Sequence, residues 1–146
     1  MLETVCVSIA IAALVGAALW NWLLGVVPNK LIIGFMAAFV PFGLVSQMAM
    51  GEVIWHLVAF ALALVLFIGL FAAGIVGGGG AKLAAAVTLW LPSGWAFTFI
   101  GLAIAMIFMI RASEWFLSPE AAKPLARHYA TGVAALGSVM MALTIL

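Results

Sequence analysis

The chain has no aspartate, one cysteine, and only five Lys or Arg and four Glu among its 146 residues. The missing aspartate excludes every mechanism that needs one. A single cysteine, Cys6, excludes an internal disulfide and a multi-cysteine metal site. Charged residues make up 6% of the chain, against about 25% in soluble domains, which excludes an ordinary soluble fold. The complement is a hydrophobic content of 69%, which selects the membrane class. A net charge of +1 gives no case for a nucleic-acid partner, and no metal or cofactor is implied. Beyond hydroxyls, the remaining polar side chains are His56, His128, Asn21, Asn29 and Gln47. The expectation is a single all-α transmembrane domain over residues 1–146.

A spanning helix needs about 20 apolar residues, and the sequence divides into six candidate stretches on that measure. They run from Val5 to Leu24, Leu31 to Met50, Val53 to Ala73, Ala81 to Leu91, Trp95 to Ile110 and Tyr129 to Leu146. The leader before the first carries Glu3 and no basic residue, unlike a secretory signal. Pro41 and Gly43 are expected to bend the second. The fourth is too short to cross a bilayer at about 1.5 Å per residue. It follows four glycines, Gly77–Gly80, and stops at Pro92-Ser93-Gly94. Either the glycine tract extends that helix, or it is irregular backbone buried in protein or lining a wet cavity.

Six spans place connecting segments alternately on two sides. Lys30, Lys82, Arg111, Lys123 and Arg127 all fall on one side, and Glu3 and Glu52 on the other. The positive-inside rule then assigns segments 29–30, 77–82 and 111–128 to the cytoplasm and both termini outside. Trp20, Trp22 and Trp115 would mark the inner interface, and Trp55, Trp90 and Trp95 the outer one.

Several local patterns have plain explanations. Gly77–Gly80 followed by Lys82 is not a phosphate loop, because Ala81 intervenes and Leu83 stands where Ser or Thr would ligate magnesium. Glu52 and His56, one turn apart, read as an interfacial carboxylate and an interhelical hydrogen bond rather than a proton relay. His128 reads as interfacial. Met106, Met109, Met140 and Met141 lack the ligand spacing of a copper site, and Cys6 reads as a small apolar residue.

Two stretches carry a family resemblance. Val27-Pro28-Asn29-Lys30-Leu31 resembles the "IPN" segment of type IV prepilin peptidases. Gly77-Gly78-Gly79-Gly80-Ala81-Lys82-Leu83 resembles their "GGGDAKL" segment. Gly132-Val133-Ala134 is similar to the end of their "PYGVA" segment, with Ala130 and Thr131 in place of Pro and Tyr. The likeness is greatest to the short six-span members of the Flp (tight-adherence) pilus systems. It covers the whole chain in topology and about a dozen residues in motif.

The resemblance implies an intramembrane aspartic endopeptidase of the GxGD kind. In that family the enzyme removes the basic leader of type IV or Flp pilin precursors at the cytoplasmic face of the bacterial inner membrane. The implied partners are a pilin precursor and membrane lipid. Mapped onto this chain, the two catalytic aspartate positions are Asn21 and Gly80. An aspartic dyad works because two adjacent carboxylates split their pKa values, leaving one protonated and one ionised. Asn21 has the shape of Asp without its proton chemistry, and Gly80 offers no side chain. The resemblance therefore implies a catalytically dead variant. It is either deliberately inactivated, Asp→Asn being the usual isosteric choice, or a natural pseudoenzyme or assembly subunit.

Pro28, Asn29, Gly77, Gly78, Gly79 and Lys82 would form the substrate loop. In it Gly77–Gly79 would let a substrate backbone approach, and Asn29 would bond backbone groups at the turn. Lys82 would snorkel to phospholipid or face the dyad. From a different class, a small membrane carrier would use Gln47 and His56 as intramembrane polar groups.

Overall fold

Proline and glycine punctuate a nearly continuous apolar sequence, and the helices stop where these residues stand. The computed structural model describes residues 2–116 and 129–144, and among them every regular element is an α-helix. Helix α1 spans Leu2–Leu24. Gly25 ends it in the left-handed region, φ +71°, donating its N–H to Asn21 O at 2.8 Å. Extended Pro28 caps α2, Asn29–Ala37, and α3 follows as Phe39–Val45. Helix α4 spans Met50–Ala72, α5 Gly78–Thr88, α6 Ser93–Phe116 and α7 Tyr129–Leu143.

Among the described residues, three helices are long and apolar enough to cross a membrane: Leu2–Leu24, Met50–Ala72 and the Ser93–Ser113 part of α6. Length and composition thus mark the chain as an all-helical membrane protein. The other three expected spans are shorter helices, for separable reasons. The second is interrupted at Ala38, one turn before Pro41. Proline has no N–H to give and its ring presses on the carbonyl four residues back, here that of Ala37. The break comes where that strain falls, upstream of Pro41 and Gly43. The last expected span is described to Thr144 and is helical over Tyr129–Leu143.

The fourth, α5, is short because it meets protein instead of lipid. Gly80, Ala81 and the whole run Leu83–Thr88 are buried, as a helix apolar on every side must be. It packs against α4, α7, α6 and α2. Ala81, Ala84, Ala85 and Ala86 add little bulk, so neighbouring backbones come close. Of the two readings of the glycine tract, the first holds: Gly78–Gly80 form the first turn of α5 and Gly77 is its cap.

The basic side chains among the described residues gather at one end. Lys82 Nζ donates to Asn29 Oδ1 at 3.2 Å, near Lys30. At the same end Arg111 Nη2 donates to the carbonyls of Gly74 and Ile75, at 2.7 and 2.8 Å. Arg111 is therefore not a loop residue; it lies in α6, in its last two turns. Its guanidinium ties the turn after α4 to α6 through that turn's own carbonyls. Replacing it with Ala is expected to lower the unfolding free energy in detergent by about 2 kcal/mol, as for other hydrogen bonds from a charged donor. A midpoint unchanged from the native chain would contradict that role. Glu3 and Glu52 lie at the opposite end.

There the Glu52 carboxylate accepts the Ala49 N–H at 3.3 Å, and His56 Nδ1 donates to Leu89 O at 2.8 Å. Both are local and interhelical bonds. Gln47 sits in the turn between α3 and α4 with φ +50°. Trp20, Trp22, Trp55 and Trp95 are exposed, but Trp90 is buried at 4%. It is a core residue and not an interfacial anchor. It packs with Phe35, Phe39 and Phe42 and donates its indole N–H to Phe35 O at 3.1 Å. The positions of Lys123, Arg127 and His128, and of the Trp115 side chain, lie outside the described residues.

Candidate functional site

A cavity of about 290 Å³ opens at the basic end of the bundle, where α1, the 25–29 turn, the start of α5 and the start of α7 converge. Its lining includes Asn21, Asn29, Gly77, Gly78, Gly79 and Gly80, residues singled out from three parts of the sequence. Pro28 shapes the turn beside it without lining it, and Lys82 reaches it only through its bond to Asn29. Asn29 accepts from that lysine; among the described residues its side chain makes no bond to backbone groups of the turn. Lys82 itself is exposed, and its ammonium faces Asn29.

Asn21 lies on the inward face of α1 and is 2% exposed. Its Nδ2 donates to Thr131 Oγ1 at 2.9 Å, and Thr131 in turn donates to Ala18 O at 3.4 Å. The side chain is thus tied into a chain of neutral hydrogen bonds between α1 and α7. Thr131 is one of the two residues that depart from the "PYGVA" pattern.

Position 80 is occupied by a neighbour. A Cβ built on Gly80 would lie 2.7 Å from Tyr129 Cδ1 and 3.2 Å from Cε1, closer than carbon atoms pack. The Tyr129 ring fills the place of the absent side chain. It is 4% exposed, and its hydroxyl is buried with no hydrogen-bond partner among the described residues. The motif comparison overlooked Tyr129, although it stands three residues before the Gly132-Val133-Ala134 match.

The other glycines divide by role. A Cβ added at Gly78 would lie 3.2 Å from the Phe71 ring and one at Gly79 3.3 Å from Val27 Cβ, while one at Gly77 would meet nothing within 4 Å. Two of the three expected substrate-facing glycines therefore serve close contacts within the chain. What the tract does present is the first turn of α5, capped by no side chain. Its N–H groups have no intrahelical acceptor. Among the described residues the cavity lining has no carboxylate, imidazole or thiol. Amide and phenol groups with backbone donors can hold a carbonyl or another neutral acceptor. They cannot run the acid–base exchange of an aspartic dyad at neutral pH. Comparison with protein-family models, curated proteins and solved structures finds no match for this chain.

Proposed function

We propose that this chain is a short, six-span prepilin-peptidase-like protein that has lost its catalytic dyad, holding the leader of a pilin-type precursor without cutting it. One observation carries the reading. Asn21, Asn29 and Gly77–Gly80, named by motif likeness alone, line a single cavity although they lie far apart in sequence. On the positive-inside rule the cavity faces the cytoplasm of a bacterial inner membrane, the side on which a basic leader would arrive. The uncapped first turn of α5 supplies donors for an extended leader's carbonyls.

Both substituted positions have fitted neighbours: Tyr129 fills the space beside Gly80, and Thr131 receives the Asn21 amide. This favours a natural degenerate relative, acting as a pseudoenzyme or assembly subunit, over two changes made in an otherwise intact peptidase. A carrier is less well supported. Gln47 lies in a turn and His56 is bonded to backbone, so neither lines a path through the bundle.

Co-expression with a pilin precursor tests the proposal. A photo-cross-linker at Val26, which lines the cavity, is expected to capture the precursor, and one at lipid-facing Val65 is not. The captured precursor should keep its leader. Leader removal that scales with protein would refute the inactive reading, and equal capture from both positions would refute the binding reading.

A further inference from the structure

A second cavity, of about 260 Å³, lies at the opposite, acidic end of the bundle and is independent of the site above. It is lined by Glu3, Thr4 and Val7 of α1, Phe42 and Met48 around the α3–α4 turn, His56 of α4, Trp90, Pro92 and Thr144. We propose that it is a binding site for a primary ammonium group.

The hydrogen-bonding inventory of the lining decides the sign of the ligand. The Trp90 indole N–H is committed to Phe35 O, the His56 Nδ1–H to Leu89 O, and the Thr144 hydroxyl proton to Met141 O. With its Nδ1 proton so placed, the neutral His56 ring keeps Nε2 as an acceptor. Thr144 Oγ1 retains lone pairs, and Glu3 brings a carboxylate, an acceptor only. Thr4 adds a hydroxyl that can accept or donate, so the lining offers one charged acceptor and three neutral ones, and its only charge among the described residues is that of Glu3.

No basic side chain lines the cavity among the described residues, and Lys30, Lys82 and Arg111 stand at the far end. The aromatic surface points the same way. The Phe42 and Trp90 rings stack at 5.2 Å with an interplanar angle of 29°, and both border the cavity beside the Met48 thioether. A cation near such faces gains from the ring quadrupole, tryptophan most of all. An anion would meet Glu3 with no counter-charge among the described residues of the lining.

A primary ammonium fits better than a quaternary one, because its N–H groups can bond to these acceptors and a quaternary nitrogen has none to give. Its source is either the headgroup of phosphatidylethanolamine, since this end lies where an interface would be, or a small soluble amine. The cavity is too small for more than a headgroup-sized ligand.

Calorimetric titration of the protein in phosphatidylglycerol nanodiscs, with ethanolamine and with tetramethylammonium as probes, tests the chemistry. Ethanolamine is expected to bind more tightly than tetramethylammonium. Glu3→Gln should weaken it about ten- to hundredfold, the loss expected for one charge-assisted hydrogen bond, with the unfolding midpoint unchanged. Phe42→Leu should weaken both probes, since it removes ring surface alone.

Native mass spectrometry of the delipidated protein separates the sources. Phosphatidylethanolamine retained over phosphatidylcholine in the native chain, and lost in Glu3→Gln, assigns the headgroup; ethanolamine binding without that preference assigns a soluble amine. Absence of both ethanolamine binding and headgroup preference overturns the site. So does ethanolamine binding that Glu3→Gln leaves unchanged.

Discussion

A chain carrying Asn21→Asp, Gly80→Asp and Tyr129→Ala together is expected to remove the leader of a co-expressed pilin precursor, whereas the native chain leaves it intact. The double substitution without Tyr129→Ala is expected to remain inactive and to be less stable. The reason is steric before it is chemical. A Cβ at position 80 would lie 2.7 Å from the Tyr129 ring. Overpacking of that kind costs about 1–3 kcal/mol and displaces the incoming side chain. Removing the ring opens the space and gives the second carboxylate room to approach the first.

Position 21 needs no such relief. Thr131 Oγ1, which now accepts from the asparagine amide, can turn its proton toward a carboxylate instead. Two carboxylates in one cavity can then divide a proton between them. Restored acid–base exchange is worth about a hundred- to ten-thousandfold in rate, enough to move processing from undetectable to visible on a gel. Leader removal measured against the native, double and triple variants decides the matter. If the triple variant folds, captures the precursor and still does not cut it, the lost-dyad explanation fails.

Trp90→Ala is expected to lower the unfolding free energy by about 3–5 kcal/mol, the range for truncating a buried aromatic residue, with Trp90→Phe costing only about 1 kcal/mol. The indole fills the space between α2, α3 and the end of α5, against Phe35, Phe39 and Phe42. It also donates to Phe35 O in the last turn of α2. That helix is cut short at Ala38, so its final carbonyls need partners from elsewhere. Pro41 makes the break and Trp90 meets part of its hydrogen-bonding demand. Denaturation in detergent followed by far-ultraviolet circular dichroism would measure both variants. Equal losses for Ala and Phe would show that the hydrogen bond, rather than ring packing, dominates.

Much of the helical layout was readable in advance because its signals are local. Gly25, Pro28, Gly74 and Pro92 each fall at or beside a helix boundary, as backbone stereochemistry requires. The exact bend in the second stretch was less legible. A proline acts on the carbonyl one turn upstream, so the break fell at Ala38. Arg111 and Trp90 were misplaced for a common reason. Both types are frequent at interfaces, and their real partners, the Gly74 and Ile75 carbonyls and the Phe35 carbonyl, lie 37, 36 and 55 residues away. Charge and aromatic patterning along the chain carries no such information.

The candidate site divides in the same way. Composition determined that this chain is an apolar helical protein, because so few charges cannot cover a soluble surface. Motif likeness picked out Asn21, Asn29 and the glycine tract, and the absence of aspartate is a property of the sequence that no fold can alter. Only the tertiary structure brought those residues to one cavity and put the Tyr129 ring against Gly80. It likewise tied Asn21 to Thr131 and spent two glycines on Phe71 and Val27. A missing side chain leaves a space, and what fills it is settled by packing between residues far apart in the chain.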